Sequence, residues 1–431
     1  MRTVIMAGGK GTRVASIASD IPKPMINVCG KPILEHQIDC LKKSNLTNII
    51  IVVGHLGQSI TEYFGNGSRF GCTISYYSET VPLGTAGALY KIEDLLTDPA
   101  EDFILLNGDI IFDIDFDRMI AFHRKHKAWA SLAMHPNNHP YDSYLIECNN
   151  NNVITAWTSK EDKRTYYKNL VNAGIHIISP ELLINCPQDK DKIDLDREIL
   201  KKMIQSGRIF GYKTPEYIKD MGTPERFTQV SMAMENGIVK SKNLSNKQKC
   251  VFLDRDGTIN ELNGFVSKPE DFILIDGAAK AIERINNQGF LAIVVTNQPV
   301  IARGELDLQT LDLIHMKMET ELGSLGAFID DLFYCPHHPD GGFPGERAEY
   351  KTDCDCRKPK PGMLLKAAEK YNIDLAQSYM VGDHIRDIRA GITAGCIPIL
   401  LDKNSSGMDL IENGIKVRQF SSLSEFTSRC L

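Results

Sequence analysis

The chain has 431 residues, 42% of them hydrophobic and 24% charged, with 49 Lys and Arg against 55 Asp and Glu for a formal net charge of −6. This is too apolar for a disordered chain, and the mild acidity gives no global reason to coat nucleic acid or an anionic membrane surface. No apolar run approaches the roughly 20 residues that span a bilayer, and the start MRTVIMAGGKGTR lacks the basic-then-apolar layout of a secretory signal, so a cytoplasmic protein with small-molecule partners is expected.

In chain order, TVIM, NIIIVV, FILLN and ASLAM read as strands. Between them a helix places Leu34, Ile38 and Leu41 on one face at i, i+4, i+7. Residues 236–249, NGIVKSKNLSNKQK, are polar and weakly periodic, and read as a linker. The expected division is a domain over 1–237, a linker over 238–248 and a second domain over 249–431. In the second half CVFLD, LAIVVTN, DLFYC, SYMVGD and IPILL are strands, and a helix aligns Ala278, Ala281, Ile282 and Ile285. Short apolar runs alternating with helix-period segments predict α/β layering around a mostly parallel sheet in each half. No tandem repeat is present.

The first strand runs into Gly8-Gly9-Lys10-Gly11-Thr12-Arg13. Glycines let backbone N–H groups approach an anion closely, and Arg13 and Lys23 add charge for a polyphosphate. Asp109 ends an apolar strand, at the carboxyl edge where α/β proteins bind ligands, and suits Mg²⁺ held against phosphate oxygens. Gly84-Thr85-Ala86-Gly87 reads as a ligand-admitting helix start, and Asp220 supplies a second carboxylate at a turn.

Together, GGKGTR, PKPM, LGTAGAL, LLNGD and KDMGTP occur in the order found in sugar-1-phosphate nucleotidyltransferases, and the first domain resembles that family along nearly its whole length. The resemblance implies a mixed sheet flanked by helices. It implies that Gly8, Gly9, Gly11, Thr12 and Arg13, with Gly84, Thr85 and Asp109, embrace the nucleoside triphosphate, and that Lys23 stabilises the phosphates. Asp109 and Asp220 would be the Mg²⁺ ligands, and Asn172, Gly174 and Lys160 would contact the sugar phosphate. The chemistry brings two anions together, so cations must neutralise and align them, and no protein nucleophile is needed.

CVFLDRDGTIN ends a strand in two carboxylates two residues apart, Asp254 and Asp256. The first can attack phosphorus while the second handles the leaving-group proton, and their repulsion calls for a cation such as Mg²⁺. Thr296 ends a second strand, Lys358 lies in CRKPKPG, and Asp383 ends a third strand with Asp387 beyond it. This order resembles the haloacid dehalogenase-like phosphatases over roughly residues 249–402. The resemblance implies a Rossmann-like domain with a minimal cap, Asp254 as nucleophile, Asp256 as general acid then base, and Mg²⁺ held by Asp254, Asp256 (through its backbone carbonyl) and Asp383.

Eight of the eleven cysteines are scattered singly, as reduced thiols are. Cys335, His337, Cys354 and Cys356 instead offer three thiolates and an imidazole for a closed tetrahedral Zn²⁺ site, with His338 as the neighbouring alternative to His337. A metal would order the Gly- and Pro-containing loop between them. Two phosphatase groups share this zinc loop, acting on histidinol phosphate or on heptose 1,7-bisphosphate. GFVSKPEDFILIDGA, CPHHP and CRKPKPGML resemble the heptose group, although Pro299-Val300 and His384 depart from its pattern. Asn297, Arg303 and Arg357 then become substrate-binding candidates.

The two resemblances interlock, since a heptose 1,7-bisphosphate 7-phosphatase makes a sugar 1-phosphate of the kind a guanylyltransferase consumes. The expected activity is bifunctional synthesis of GDP-D-glycero-α-D-manno-heptose. Two other readings use the same residues: a histidinol-phosphate-type phosphatase fused to a mannose-1-phosphate guanylyltransferase, or a phosphatase regulated by a non-catalytic sugar-nucleotide-sensing domain.

Overall fold

A computed structural model describes residues 1–9, 21–92, 96, 101–262, 264–404 and 409–431. Gly11, Thr12 and Arg13 lie outside the described residues. The chain divides into two compact units: Met1–His135, Ile146–Thr158 and Asn172–Asn243 form the first, and Pro136–Leu145, Ser159–Val171 and Leu244–Leu431 the second.

In the first unit the strand Arg2–Met6 lies between Phe103–Asn107 and Asn48–Val53, and Thr73–Ser78 extends the sheet, all parallel. Val171–Ile178 then pairs antiparallel with Phe103–Asn107, which makes the sheet mixed. Helix Ile33–Lys43 buries Leu34, Ile38 and Leu41, the predicted stripe, against Ile5, Ile49, Ile51 and Leu106. A side ribbon pairs Tyr217–Asp220 antiparallel with Ile110–Asp113.

The segment expected to be a linker is partly folded. Helix Ile238–Ser241 starts after Gly237, whose φ is +73°, a region that glycine enters without steric cost. Its Val239 packs with Ile111, Met221 and Val230. The boundary between units therefore falls at Asn243/Leu244, and Leu244 packs with Cys250 and Phe252.

The second unit is built on seven strands among the described residues, with Cys250–Leu253 flanked by Leu291–Asn297 and Tyr379–Gly382 in parallel. Val251 and Leu253 face a core with Ala281, Ile282 and Ile285, while Cys250 and Phe252 face Met363, Leu364 and Ala367. Helices cover both faces, which is why these strands read as unbroken apolar runs rather than alternating ones. Each such buried Leu or Ile contributes about 1.5–3 kcal/mol.

Two segments that precede the boundary in sequence also belong to this second unit. They pack on helix Leu308–Ser324: the backbone N–H of Tyr167 donates to Thr320 Oγ1 (3.0 Å), that of Asn169 donates to Glu319 Oε2 (2.7 Å), and Lys168 pairs with Asp312 (2.9 Å). Gly323 leaves room for the Pro140 ring, which a Cβ there would strike. Among the described residues, no helix is long and apolar enough to cross a membrane.

Candidate functional site

The central strand of the second unit ends at Leu253, in register with Val294 on one side and Val381 on the other. This puts Asp254, Thr296 and Asp383 at the carboxyl ends of three adjacent strands, where an open α/β sheet leaves its crevice. The backbone N–H of Asp254 donates to Val381 O (2.9 Å) and so ties the loop to the next strand. Gly257 follows with φ +82°, and a Cβ there would run into the Asp383 carboxylate.

Lys358 is buried beneath these groups. Its Nζ lies 2.9 Å from Asp254 Oδ1 and 2.6 Å from Asp387 Oδ1, and donates to Val295 O at 2.7 Å. Burial alone would push the ammonium toward its neutral form, but Asp254 and Asp387 outweigh it and hold its pKa above the ordinary value. Burial, followed by the Asp387 charge, raises the Asp254 carboxyl against the pull of Lys358. Asp383 is pushed up to about 6, chiefly by burial.

Ligand oxygens of Asp254, Asp383 and Asp387 lie within 4.8 Å of one another. Three hard oxygen donors this close together fit Mg²⁺, which would offset their mutual repulsion. Asp387, not the side chain of Asp256, joins the other two. The Asp256 carboxylate is engaged instead by Arg255 Nε (3.1 Å) and Nη2 (2.9 and 3.0 Å), Asn260 Nδ2 (3.1 Å) and Gln298 Nε2 (2.9 Å). His384, a departure from the heptose-group pattern, caps helix Ile385–Ala394: its Nδ1 accepts from Arg386 N (3.1 Å) and its own N–H donates to Asp387 Oδ2 (3.2 Å).

Cys335, His337, Cys354 and Cys356 also bring their ligand atoms within 4.8 Å of one another. The Cys354 sulfur is 3.4 Å from that of Cys335 and 3.1 Å from that of Cys356, and His337 Nδ1 is 3.4 Å from Cys356. The thiol of Cys356 is held down to about 5, first by the hydrogen bond from Cys335. A soft S₃N set at this spacing fits a tetrahedral Zn²⁺. His338 is occupied otherwise, its Nδ1 accepting from Asp340 N at 3.2 Å.

Arg357 donates to His337 O (3.1 Å), so its position follows from the cysteine loop. The Arg303 guanidinium sits over the rings of Phe265 (4.9 Å) and Phe343 (4.5 Å). Asn297 has its amide committed to the main chain of Lys358, donating to Lys358 O (2.9 Å) and accepting from Lys358 N (3.0 Å).

In the first unit the Asn107-Gly108-Asp109 turn is braced by Gln37, whose Nε2 donates to Asn107 O (2.9 Å) and Ile110 O (2.8 Å). Lys23 Nζ lies 3.4 Å from Asp109 Oδ2. Asp220 pairs with Ile110 across the ribbon, the N–H of Met221 donates to Asp109 O (2.9 Å), and Arg226 grips Asp220 at 2.5 and 2.6 Å. The two acidic residues are thus brought to one end of the ribbon, each beside a cation; carboxylate oxygens are the donor type that Mg²⁺ takes.

A Cβ at Gly8 would meet the Glu79 carboxylate and push it aside, whereas Gly9 faces open space. Gly84 (φ +82°) is pressed against Ile193 O, and Thr85 Oγ1 accepts from Leu195 N (2.7 Å). Asn172 accepts from Gly174 N (3.2 Å) and donates to Asp196 Oδ1 (3.1 Å). Asp196 is pushed up to about 7 by burial, with Asp194 adding to the shift. Lys160, within the second unit, pairs with Asp142 at 3.1 Å.

Residues 2–237 match the family model described as nucleotidyl transferase. The chain belongs to the nucleotidyl transferase family. Residues 355–419 match a second model, described as HAD-hydrolase-like. A D-glycero-beta-D-manno-heptose-1,7-bisphosphate 7-phosphatase of Haemophilus ducreyi is 45% identical over 149 residues, 34% of this chain and 79% of its own. The Escherichia coli protein of the same description is 43% identical over 144 residues, 33% of this chain and 73% of its own. A solved structure of D,D-heptose 1,7-bisphosphate phosphatase from B. bronchiseptica, complexed with magnesium and phosphate, is 35% identical and covers 42% of this chain and 97% of its own, with a TM-score of 0.37. By its phosphatase relatives the chain belongs to that phosphatase family too, so it is a nucleotidyl transferase and a phosphatase in one polypeptide.

Sequence reasoning did not single out Arg255, Asn260 or Gln298, the partners of Asp256, nor Arg226 and Asp196 in the transferase unit. Arg255 had a signal, because it lies between the two acidic residues of its motif. The others are common residue types whose importance depends on where the fold puts them.

Proposed function

We propose that the chain removes the 7-phosphate of D-glycero-D-manno-heptose 1,7-bisphosphate and transfers GMP from GTP to the resulting heptose 1-phosphate, releasing pyrophosphate. The observation that carries this reading is the convergence of Asp254, Asp383 and Asp387 around the buried Lys358 at the strand ends, in a chain whose 45%-identical relative is named for that phosphatase activity. The transferase unit extends the reading, because a sugar 1-phosphate is its natural acceptor class.

In the phosphatase unit a carboxylate oxygen of Asp254 attacks the 7-phosphorus. The sugar oxygen leaves and takes a proton from Asp256. Water then attacks the aspartyl phosphate, Asp256 takes back a proton, and phosphate departs. Lys358 and the hydroxyl of Thr296 balance charge on the phosphoryl oxygens. Asp254, Asp383 and Asp387 would hold Mg²⁺, which supplies further neutralisation. Cys335, His337, Cys354 and Cys356 would hold Zn²⁺ in a structural role, positioning Arg357, which with Arg303 takes the distal phosphate. In the transferase unit Lys23 and the Gly8–Gly9 backbone receive the triphosphate, Asp109 and Asp220 would hold Mg²⁺, and Asn172 and Gly174 meet the sugar.

The test supplies the purified chain with α- or β-heptose 1,7-bisphosphate and Mg²⁺, followed by GTP or ATP. Phosphate release from one anomer, and pyrophosphate release with GTP on that product, are expected. The relatives' names carry the β anomer, whereas the transferase resemblance favours α, so both are run. No phosphate from either anomer overturns the phosphatase substrate; no pyrophosphate with GTP overturns the guanylyl assignment.

A further inference from the structure

Gln298 lies one residue past the strand Leu291–Asn297 and is 3% exposed. Its backbone N–H donates to Cys335 O at 2.8 Å, which anchors it to the neighbouring strand. Its Nε2 has two hydrogens and two recipients: Asp256 Oδ2 at 2.9 Å and Thr296 Oγ1 at 2.9 Å. A carboxylate accepts and does not donate when ionised, so the amide nitrogen is the end that faces it. The Thr296 oxygen is then an acceptor from Gln298, and its own hydrogen is left to donate elsewhere. Arg255 and Asn260 also donate to the Asp256 carboxylate, but only Gln298 among these three also reaches Thr296.

We propose that Gln298 is a positioning residue for phosphoryl transfer, holding Asp256 at a fixed reach from Thr296 so that its proton meets the leaving oxygen. The inference rests on the assignment of Asp254 as nucleophile and Asp256 as proton carrier. One amide thus sets the reach between the group that protonates the leaving oxygen and the group that cradles the phosphoryl oxygens, a distance on which proton transfer depends steeply.

The experiment compares heptose 1,7-bisphosphate, whose alkoxide needs a proton to leave, with 4-nitrophenyl phosphate, whose phenolate does not. Gln298→Met keeps the length of the side chain and removes both donated hydrogens. Its expected kcat/KM on the bisphosphate falls about 30–100-fold, while kcat/KM on the aryl phosphate, which reports only the steps up to release of the phenolate, falls less than about fivefold. In the double variant with Asp256→Asn, the bisphosphate rate should drop little below that of Asp256→Asn alone.

Equal losses on both substrates, losses that multiply in the double variant, or no loss at all overturn the proposal. Should Gln298→Met not fold, judged by the melting of the phosphatase unit, Gln298→Leu also lacks the donors without adding a charge and should show the same split between substrates. Asp254→Asn is the control that separates the two claims. Retained turnover in that variant sinks the assignment of the site, whereas its loss beside unaffected Gln298 variants sinks the role of Gln298 alone.

Discussion

The two acidic sites of this chain solve the same problem, crowding negative oxygens together, in different ways. In the phosphatase unit Asp254 and Asp387 share one buried lysine, and three strands deliver the parts. In the transferase unit Asp109 and Asp220 lie on a two-stranded side ribbon, each with its own cation, and both carboxylates are more open to solvent. The contrast fits the chemistry we propose for the two units. A protein carboxylate that attacks phosphorus must be held in place and desolvated, whereas a site that aligns two substrates needs only charge and room.

The sharpest way to break the comparison is Asp254→Asn, expected to lower phosphate release at least about 10³-fold while pyrophosphate release is unchanged. Asp109→Ala should do the reverse, cutting nucleotidyl transfer about 10²-fold or more and sparing the phosphatase; loss of both activities in either variant would mean the units do not work independently.

Lys358→Met leaves two buried carboxylates facing each other without their cation. It should cost about 3–5 kcal/mol of stability, read in denaturant melts at neutral pH, and the corresponding Lys23→Met should cost far less because its partner is partly solvated. Cys354→Ser should bring bound zinc from about one per chain to near none, read by elemental analysis, and lower the melting of the phosphatase without touching nucleotidyl transfer.

The smallest effect concerns Asp196. Its folded pKa, about 7, lies above the ordinary carboxylate value because of burial. The folded state therefore binds the extra proton, and its stabilising share is complete at low pH and lost as pH rises from about 4 through 7. Asp196→Asn should flatten that slope and raise stability at pH 8 by on the order of 1 kcal/mol.

Much of the phosphatase site was legible in the sequence, because strand-ending motifs carry Asp254, Thr296 and Asp383 and a parallel sheet aligns strand ends. The choice of His337 over His338 came from the Cys-x-His spacing of the resemblance, and it is the His337 ring that turns toward the cysteines. The destination of the Asp256 carboxylate was not legible, because it depends on Asn260 and Gln298 arriving from different loops. The helix Ile238–Ser241 escaped notice because it is one turn long and its single buried residue, Val239, makes no period. The Gly84–Thr85 segment was expected to open a helix onto a ligand; its Thr85 hydroxyl accepts from Leu195, and the helix that follows is one short 3₁₀ turn, Gly87–Tyr90.

The docking of residues 136–145 and 159–171 on helix Leu308–Ser324 bears on how the polypeptide can be divided. The chain passes from one compact unit to the other five times, not once. A phosphatase begun at Leu244 would be born with a bare stripe on that helix, where Thr320, Glu319 and Asp312 lose Tyr167, Asn169 and Lys168. Gene fission at the family boundary would thus leave a scar in the half that was cut away from, with water taking the place of those three partners along the helix.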